Sequence, residues 1–365
     1  EATKMVVEGN DLSYETAEQV MNEIMSGEAS QMLTAAYLTA LRMKGETIDE
    51  ISASAVGMRN HAIPLENDGD VLEIVGTGGD DAIDIVGTGG DLSNTFNIST
   101  TASFVIAGAG AKVAKHGNRS VSSKCGAADV LEASGVNITI EPEKSAAILK
   151  KAGICFMFAQ KYHTAMKYVA PVRKEIGART FFNILGPLTN PALADYIVLG
   201  IYDPANPSYI LLGVYDESLV ETMAKVLVKM GIKKGMVVYG QDKLDEISLS
   251  ANTTCCEIQD GTLTSYVINP EDYGFTKCSK DDLVGGDPAE NAVILKSILE
   301  GKEKGAKRDA VVLNSAACIH MIKGISYEDA IKEANEAIDS GKALNQLNKF
   351  IELSNRQKEV YICQF

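Results

Sequence analysis

The chain has 365 residues, 45% of them hydrophobic and 23% charged, with a formal net charge of −15. That length buries one elaborated core or two domains. The acidic balance argues against a general nucleic-acid or anionic-membrane binder, whose affinity comes from clustered Lys and Arg.

Residues 13–62 predict three amphipathic helices. Ser13 is the first N-cap, Gly27 and Gly45 are stops, and Thr47-x-x-Glu50 is a capping box before the third helix. Beyond them the chain repeats itself: Ile74-Val75-Gly76-Thr77-Gly78-Gly79-Asp80 recurs eleven residues later as Ile85-Val86-Gly87-Thr88-Gly89-Gly90-Asp91. The repeat is too short for a solenoid. Only the second copy leads directly to Thr95 and a helix predicted over 99–109, so ligand binding is assigned to that copy. The first copy is expected as an extra loop near the site, with Asp80, Asp81 and Asp84 bringing negative charge toward it.

Gly87, Gly89 and Gly90 follow a β-branched run and let the backbone approach a ligand with no Cβ in the way. The helix start offers unpaired N–H groups and a partial positive charge, and Asn97, Ser99 and Thr100 add side-chain donors. A second loop opens with Lys115 and closes with Ser122, Ser123 and Lys124, supplying cations and hydroxyls. Together the two loops make a phosphate site. It is neither a Walker A loop nor a dinucleotide fingerprint, because Gly108-Ala109-Gly110 is followed by Ala111, Lys112 and Val113 and lacks the third glycine.

From 112 to 160, short apolar runs (112–114, 136–140, 154–159) alternate with helix-like segments (127–133, 143–152). This is the pattern of a mostly parallel sheet covered by helices. Residues 163–177 read as a helix, with breaks later at Gly186-Pro187 and Asn190-Pro191. The sheet pattern resumes at 196–202, followed by a long helix over 208–230 and a strand over 235–239. Asp245 and Glu246 come soon after, and adjacent carboxylates at a strand's end suit a hard cation. A hairpin is predicted around Gln259-Asp260-Gly261-Thr262. Helices fill 288–355, with Gly301, Gly324 and Gly341 as stops. The seven cysteines, odd in number and without C-x-x-C spacing, fit reduced thiols in a cytoplasmic protein. No run approaches the ~18 apolar residues of a membrane span.

Four stretches stand in order: Gly87-Thr88-Gly89-Gly90-Asp91, Thr95-Phe96-Asn97-Ile98-Ser99-Thr100, Lys115-His116-Gly117-Asn118-Arg119, and Arg179-Thr180-Phe181-Phe182-Asn183-Ile184-Leu185-Gly186-Pro187-Leu188-Thr189-Asn190-Pro191. They resemble the signatures of the anthranilate phosphoribosyltransferases, over about residues 12 to 350. One motif alone would also fit the pyrimidine nucleoside phosphorylases, which are similar in fold and anion loops. The resemblance implies an α/β protein with a small all-helical domain (1–70 and about 161–195). The larger α/β domain (about 71–160 and 196–365) carries a mostly parallel central sheet covered by helices. The helical region would supply a homodimer contact.

By the same resemblance, phosphoribosyl pyrophosphate lies against Gly87, Gly90, Asp91, Thr95, Asn97, Ile98, Ser99 and Thr100 of the first loop and helix. From the second it meets Lys115, His116, Gly117, Asn118, Arg119, Ser120, Val121, Ser122, Ser123 and Ala127. At Ala127 the family more often has a serine, so one hydrogen bond, worth roughly 0.5–1.5 kcal/mol net, is expected to be missing. Anthranilate would meet Gly87, Asn118, His163, Arg173 and Pro187, with the planar guanidinium of Arg173 gripping its carboxylate. Magnesium would be held by Ser99, Asp245 and Glu246. The implied reaction moves the phosphoribosyl group from phosphoribosyl pyrophosphate to the amine of anthranilate, a step of tryptophan biosynthesis. Charge grows on the leaving pyrophosphate, so stabilising it is the main electrostatic task. The aromatic amine is already neutral and needs orientation, so no acid or base is assigned and His116 is read as structural or as a pocket wall. No nucleic acid or membrane partner is expected. A phosphorylase-like enzyme, and a relative that is non-catalytic or impaired by the duplication, remain open, since the family pattern has one copy.

Overall fold

The computed structural model describes residues 1–63, 65, 82–88, 93–120, 123–193 and 209–356. Four helices lead: α1 (Ala2–Val7), α2 (Tyr14–Ser26), α3 (Gln31–Lys44) and α4 (Ile48–Arg59). Ser13 caps α2 by accepting from the Thr16 N–H, Ser30 caps α3 through Leu33, and Thr47 and Glu50 close the capping box of α4. Glu50 does more than cap. Its buried carboxylate also accepts from Leu12 N and Lys44 Nζ, so one residue ties three segments together. Helix α1 was not among the predicted elements.

The remaining chain alternates: β1 (Ala82–Gly87), α5 (Ile98–Gly108), β2 (Lys112–Gly117), α6 (Ala127–Ala133), α7 (Pro142–Ala152), β3 (Ile154–Phe158), α8 (Ala159–Tyr162), α9 (Ala170–Ile176) and α10 (Phe182–Leu188). Then come β4 (Tyr209–Gly213), α11 (Leu219–Lys229), β5 (Lys234–Gly240), β6 (Thr253–Gln259), β7 (Thr262–Ile268), α12 (Pro288–Leu299), α13 (Ala306–Lys323), α14 (Tyr327–Asp339) and α15 (Lys342–Asn355).

The seven strands form one sheet in the order β3-β2-β1-β4-β5-β6-β7, parallel through β5 and antiparallel beyond. One face packs Ile83, Ile85, Phe156, Leu211 and Val238 under α5 and α13–α15. The other packs Ile210, Leu212 and Val237 against α2–α4, α10 and α11. Strands covered on both faces read as unbroken apolar runs. The strand order turns back between β1 and β4, and ligands of open α/β sheets bind at such a reversal, beyond the carboxyl ends of the strands.

Several expectations are corrected. Residues 208–230 are not one helix: β4 occupies the start, and α11 begins only at Leu219. Residues 163–177 are a 3-10 turn, Thr164–Tyr168, followed by the short α9, which starts afresh beside Pro171. Residues 136–140 form no strand. Gly186-Pro187 does not break the chain's helix, since α10 runs through Pro187. The hairpin is where it was expected, with Asp260 and Gly261 both at positive φ, as a two-residue turn between paired strands requires.

The second copy of the repeat supplies β1. The first copy, residues 74–80, lies outside the described residues, as do Asp81, the strand expected over 196–202 and the C-terminal residues 357–365. A second repeat escaped the chain-order reading: Tyr196-Ile197-Val198-Leu199-Gly200-Ile201-Tyr202-Asp203 recurs thirteen residues later as Tyr209-Ile210-Leu211-Leu212-Gly213-Val214-Tyr215-Asp216. Its second copy supplies β4, the hydrogen-bonded neighbour of β1. Among the described residues no single helix is long and apolar enough to cross a membrane.

Candidate active site

Gly87 and Gly213 end β1 and β4 and are paired in register across the reversal. A Cβ on Gly213 would fall 1.7 Å from the Asp245 carbonyl oxygen, and one on Gly87 would fall 2.4 Å from Asp245 Oδ2. The turn after β5 thus lies across both strand ends. Glycine is required here for close approach. Thr88 continues the contact, donating its N–H to Gly213 O at 2.9 Å while its hydroxyl accepts from Tyr215 N. Gly90 and Asp91 lie outside the described residues, as do Val121 and Ser122.

Three of the expected site residues meet behind this crevice. Lys115, on β2 and 3% exposed, donates through Nζ to Ile85 O at 2.6 Å and to Ser99 Oγ at 3.4 Å. Ser99, in the first turn of α5, donates its N–H to Glu246 Oε1 at 3.3 Å. Burial pushes the Glu246 carboxyl up, the Asp245 charge adds to this, and Lys115 and Ser99 oppose it. Burial likewise lowers Lys115, and the charges of Asp84 and Glu246 hold it back. A helix start, a lysine and two partly buried carboxylates are suited to holding a phosphate together with a hard cation. Around them, Ile98 and Thr100 are buried, Thr95 bridges to Val284, and Asn97 Nδ2 donates to Cys125 O.

The second loop is organised by a residue the sequence reading passed over. Asp129 accepts from Ser120 N at 3.0 Å and Gly126 N at 2.9 Å through Oδ2, and from Arg119 Nη1 at 2.9 Å through Oδ1. Glu132 accepts from both Arg119 terminal nitrogens. Arg119, expected on phosphate, is therefore engaged in shaping the loop. Its one signal was an acid at the third position of a helix opened by Gly126. Ser120 and Ser123 bond each other, and Asn118 Oδ1 accepts from Arg119 N and Gln160 Nε2. Gly117 and Ala127 touch, with 3.2 Å between the Ala127 Cβ and a Cβ built on Gly117.

On the opposite side, the His116 and His163 rings meet edge to face at 5.0 Å. Both are buried, and burial depresses both, His163 to about 4, so the rings are neutral. Each bonds a backbone group, of Gly186 and Thr189 respectively, and among the described residues each leaves Nε2 without a partner. Arg173, half-buried, lies 5.5 Å from the centre of the Phe182 ring, beside the helix that carries Pro187.

Asp84 is not the loop charge it was expected to be. It is a buried strand residue whose Oδ2 accepts from Asn190 Nδ2 at 2.8 Å. In the sequence Asn190 marks a break and falls in the fourth signature stretch with no sign of this partner, and Arg59, which donates to Leu188 O, carries no signal there.

A helical bundle beside a doubly covered sheet, with a crevice at the strand reversal, is the architecture of the glycosyl transferase family, and comparison with known proteins places the chain there. The model of the glycosyl transferase family's helical bundle domain matches residues 1–62, and that of its a/b domain matches 79–205 and 203–344, the two matches overlapping at the end of the first copy of the second repeat. The chain belongs to the anthranilate phosphoribosyltransferase family. It is 62% identical to the anthranilate phosphoribosyltransferase of Lachnoclostridium phytofermentans, over 98% of this chain and 99% of that one, and 59% identical to that of Methanobrevibacter smithii, over 97% and 99%. The crystal structure of the Thermus thermophilus enzyme superposes with a TM-score of 0.85 at 36% identity, covering 97% of this chain and 99% of that one. The Saccharomyces cerevisiae enzyme in complex with PRPP and Mg gives 0.84 at 26% identity, covering 97% and 96%.

Proposed function

We propose that this chain performs its family's reaction with the residues gathered at the β1/β4 crevice. It transfers the phosphoribosyl group of phosphoribosyl pyrophosphate to the amine of anthranilate, giving N-(5′-phosphoribosyl)anthranilate and pyrophosphate. The observation that carries the assignment of the donor site is the meeting of Lys115, Ser99 and Glu246 behind the crevice where β1 and β4 end.

Lys115 and the start of α5 hold the pyrophosphate oxygens and offset the charge that grows on them as the bond to C1 of the ribose breaks. Asp129, through Ser120 and Gly126, holds the second loop against the donor. Arg173 takes the carboxylate of anthranilate, Asn118 its amine, and His163 and Pro187 wall the ring. Their task is orientation, because the amine is a neutral nucleophile without help. Among the described residues no group of three or more His, Cys, Asp or Glu is arranged to hold a metal ion. A partly buried Glu246, its carboxyl pushed up, beside Asp245 and the Ser99 hydroxyl nevertheless fits magnesium, whose remaining ligands are usually water and substrate phosphate. Bound there, it would supply a Lewis acid for the leaving pyrophosphate.

The working unit is a homodimer in the cytoplasm, with a helical domain of residues 1–70 and about 161–195 and an α/β domain of the rest. Exposed Val7, Met32, Leu33 and Met43 on α1 and α3 support a contact through the helices. The test is the loss of anthranilate fluorescence with phosphoribosyl pyrophosphate and magnesium. Arg173→Ala should raise the KM for anthranilate far more than that for the donor, and Asp245→Ala with Glu246→Ala should abolish turnover. Turnover only with a pyrimidine nucleoside and inorganic phosphate would replace this reading by a phosphorylase.

A further inference from the structure

Arg59 ends α4 and is 3% exposed. Its Nε donates to Leu188 O at 2.8 Å, while Nη1 and Nη2 are buried and, among the described residues, without a hydrogen-bond partner. A guanidinium in this state is costly, and an apolar side chain of similar size would serve stability as well or better. Its reason is therefore sought in what it touches.

It touches the end of α10. The last carbonyls of any helix lack partners, and Pro187 removes a further ladder bond from the final turn. The turn is held instead from outside. His116 bonds the backbone of Gly186, Arg59 that of Leu188 and His163 that of Thr189, while the Asn190 side chain reaches Asp84. Of these four anchors only Arg59 comes from the leading helices. Donors and a positive charge also suit the negative end of a helix.

We propose that Arg59 is a positioning residue for the aromatic acceptor, holding the end of α10 from the helical side so that Pro187 and His163 keep the shape of the acceptor pocket. The proposal rests on the assignment of that pocket given above. Burial keeps the His163 ring neutral, and the charge of Arg59 adds to this.

Arg59→Met keeps the bulk of the side chain and removes its donors. It should raise the KM for anthranilate about tenfold with little change for phosphoribosyl pyrophosphate. Its melting temperature should equal or exceed that of the unaltered protein. Arg59→Ala should regain acceptor affinity when guanidinium is added below denaturing concentration, which a purely structural defect would not do. An unchanged anthranilate KM in Arg59→Met, alongside a raised one in Arg173→Ala, overturns the proposal and leaves the pocket standing. An unchanged KM in both variants overturns the pocket assignment and the proposal with it. Equal losses for both substrates with a lowered melting temperature and no guanidinium rescue reduce Arg59 to packing.

Discussion

Asn190 donates to Asp84 across 106 residues of sequence, and the bond joins the segment after α10 to the strand that carries the glycine loop. The same Nδ2 also donates to Ala114 O at 2.9 Å, and Oδ1 accepts from Ala192 N at 2.8 Å. The segment after α10, β1 and β2 are thereby fixed to one another through a single amide.

Burial raises Asp84 to about 6, against the opposing pull of Lys115 and Asn190. The folded state therefore holds this proton more tightly than the unfolded chain. The stability it contributes is full below about pH 4 and is lost between about pH 4 and 6, on the order of 3 kcal/mol. Asp84→Asn should flatten the pH dependence of the urea midpoint over that window. Asn190→Ala leaves the carboxylate short of its donor, so it should extend the loss above pH 6 and cost about 2 kcal/mol near neutrality. Parallel slopes in all three proteins would remove Asp84 from the account.

The first repeat supplies a finer test of the same contact. Deleting residues 71–81 leaves Asp84 in β1, whereas deleting 76–86 brings Glu73 to that place, and each leaves one glycine loop. A methylene more in a closed space costs roughly 1–3 kcal/mol. The first deletion should therefore be the more stable and more active of the two, and Glu73→Asp should restore the second. Equal melting temperatures would show that the slot does not distinguish the two acids.

What was legible in the sequence was local. The capping box of Thr47 and Glu50, the turn at Asp260-Gly261 and the alternation of β2 and β3 with α6 and α7 are all set by neighbours within a few residues. Strand β4 was not legible, because Tyr209 to Leu212 are buried on both faces and an unbroken apolar run has no period of its own. Pro187 read as a break because the rule against proline in helices is local, while the donors that hold α10's end come from distant segments. Asp84 read as a loop charge for the same reason: its partner lies far down the chain. At the crevice, glycines and hydroxyls pointed to an anion, but the need for Gly213 arises only when the Asp245 turn is laid over it.

That overlay predicts a severe effect from one methyl group. The atom that a Cβ on Gly213 would meet is the main-chain oxygen of Asp245, which cannot swing aside as a side chain would. Gly213→Ala should cost about 3 kcal/mol, read from chemical denaturation, and displace the Asp245–Glu246 turn. Magnesium-dependent turnover should fall with it. A variant with ordinary stability and turnover would mean that the turn does not pack over β4.

Shaping the loop between β2 and α6 is separable from touching phosphoribosyl pyrophosphate. Arg119 is spent on Glu132 and Asp129, and Asp129 in turn holds Ser120 N and Gly126 N, so the loop between β2 and α6 has its ends tied to one carboxylate. Gly126 cannot be replaced without loss, since a Cβ there would lie 2.3 Å from Ser120 N. Those hydrogen bonds hold Asp129 below the usual carboxylate range, so their contribution is present at neutral pH and is lost as the pH falls through that lowered value. Asp129→Ala should raise the KM for phosphoribosyl pyrophosphate about tenfold and leave that for anthranilate nearly unchanged. Arg119→Ala should do less, because the two backbone N–H groups keep their acceptor. If Arg119→Ala proves the more damaging variant, the arginine leaves its carboxylates to meet phosphate, and the loop is held by something other than Asp129.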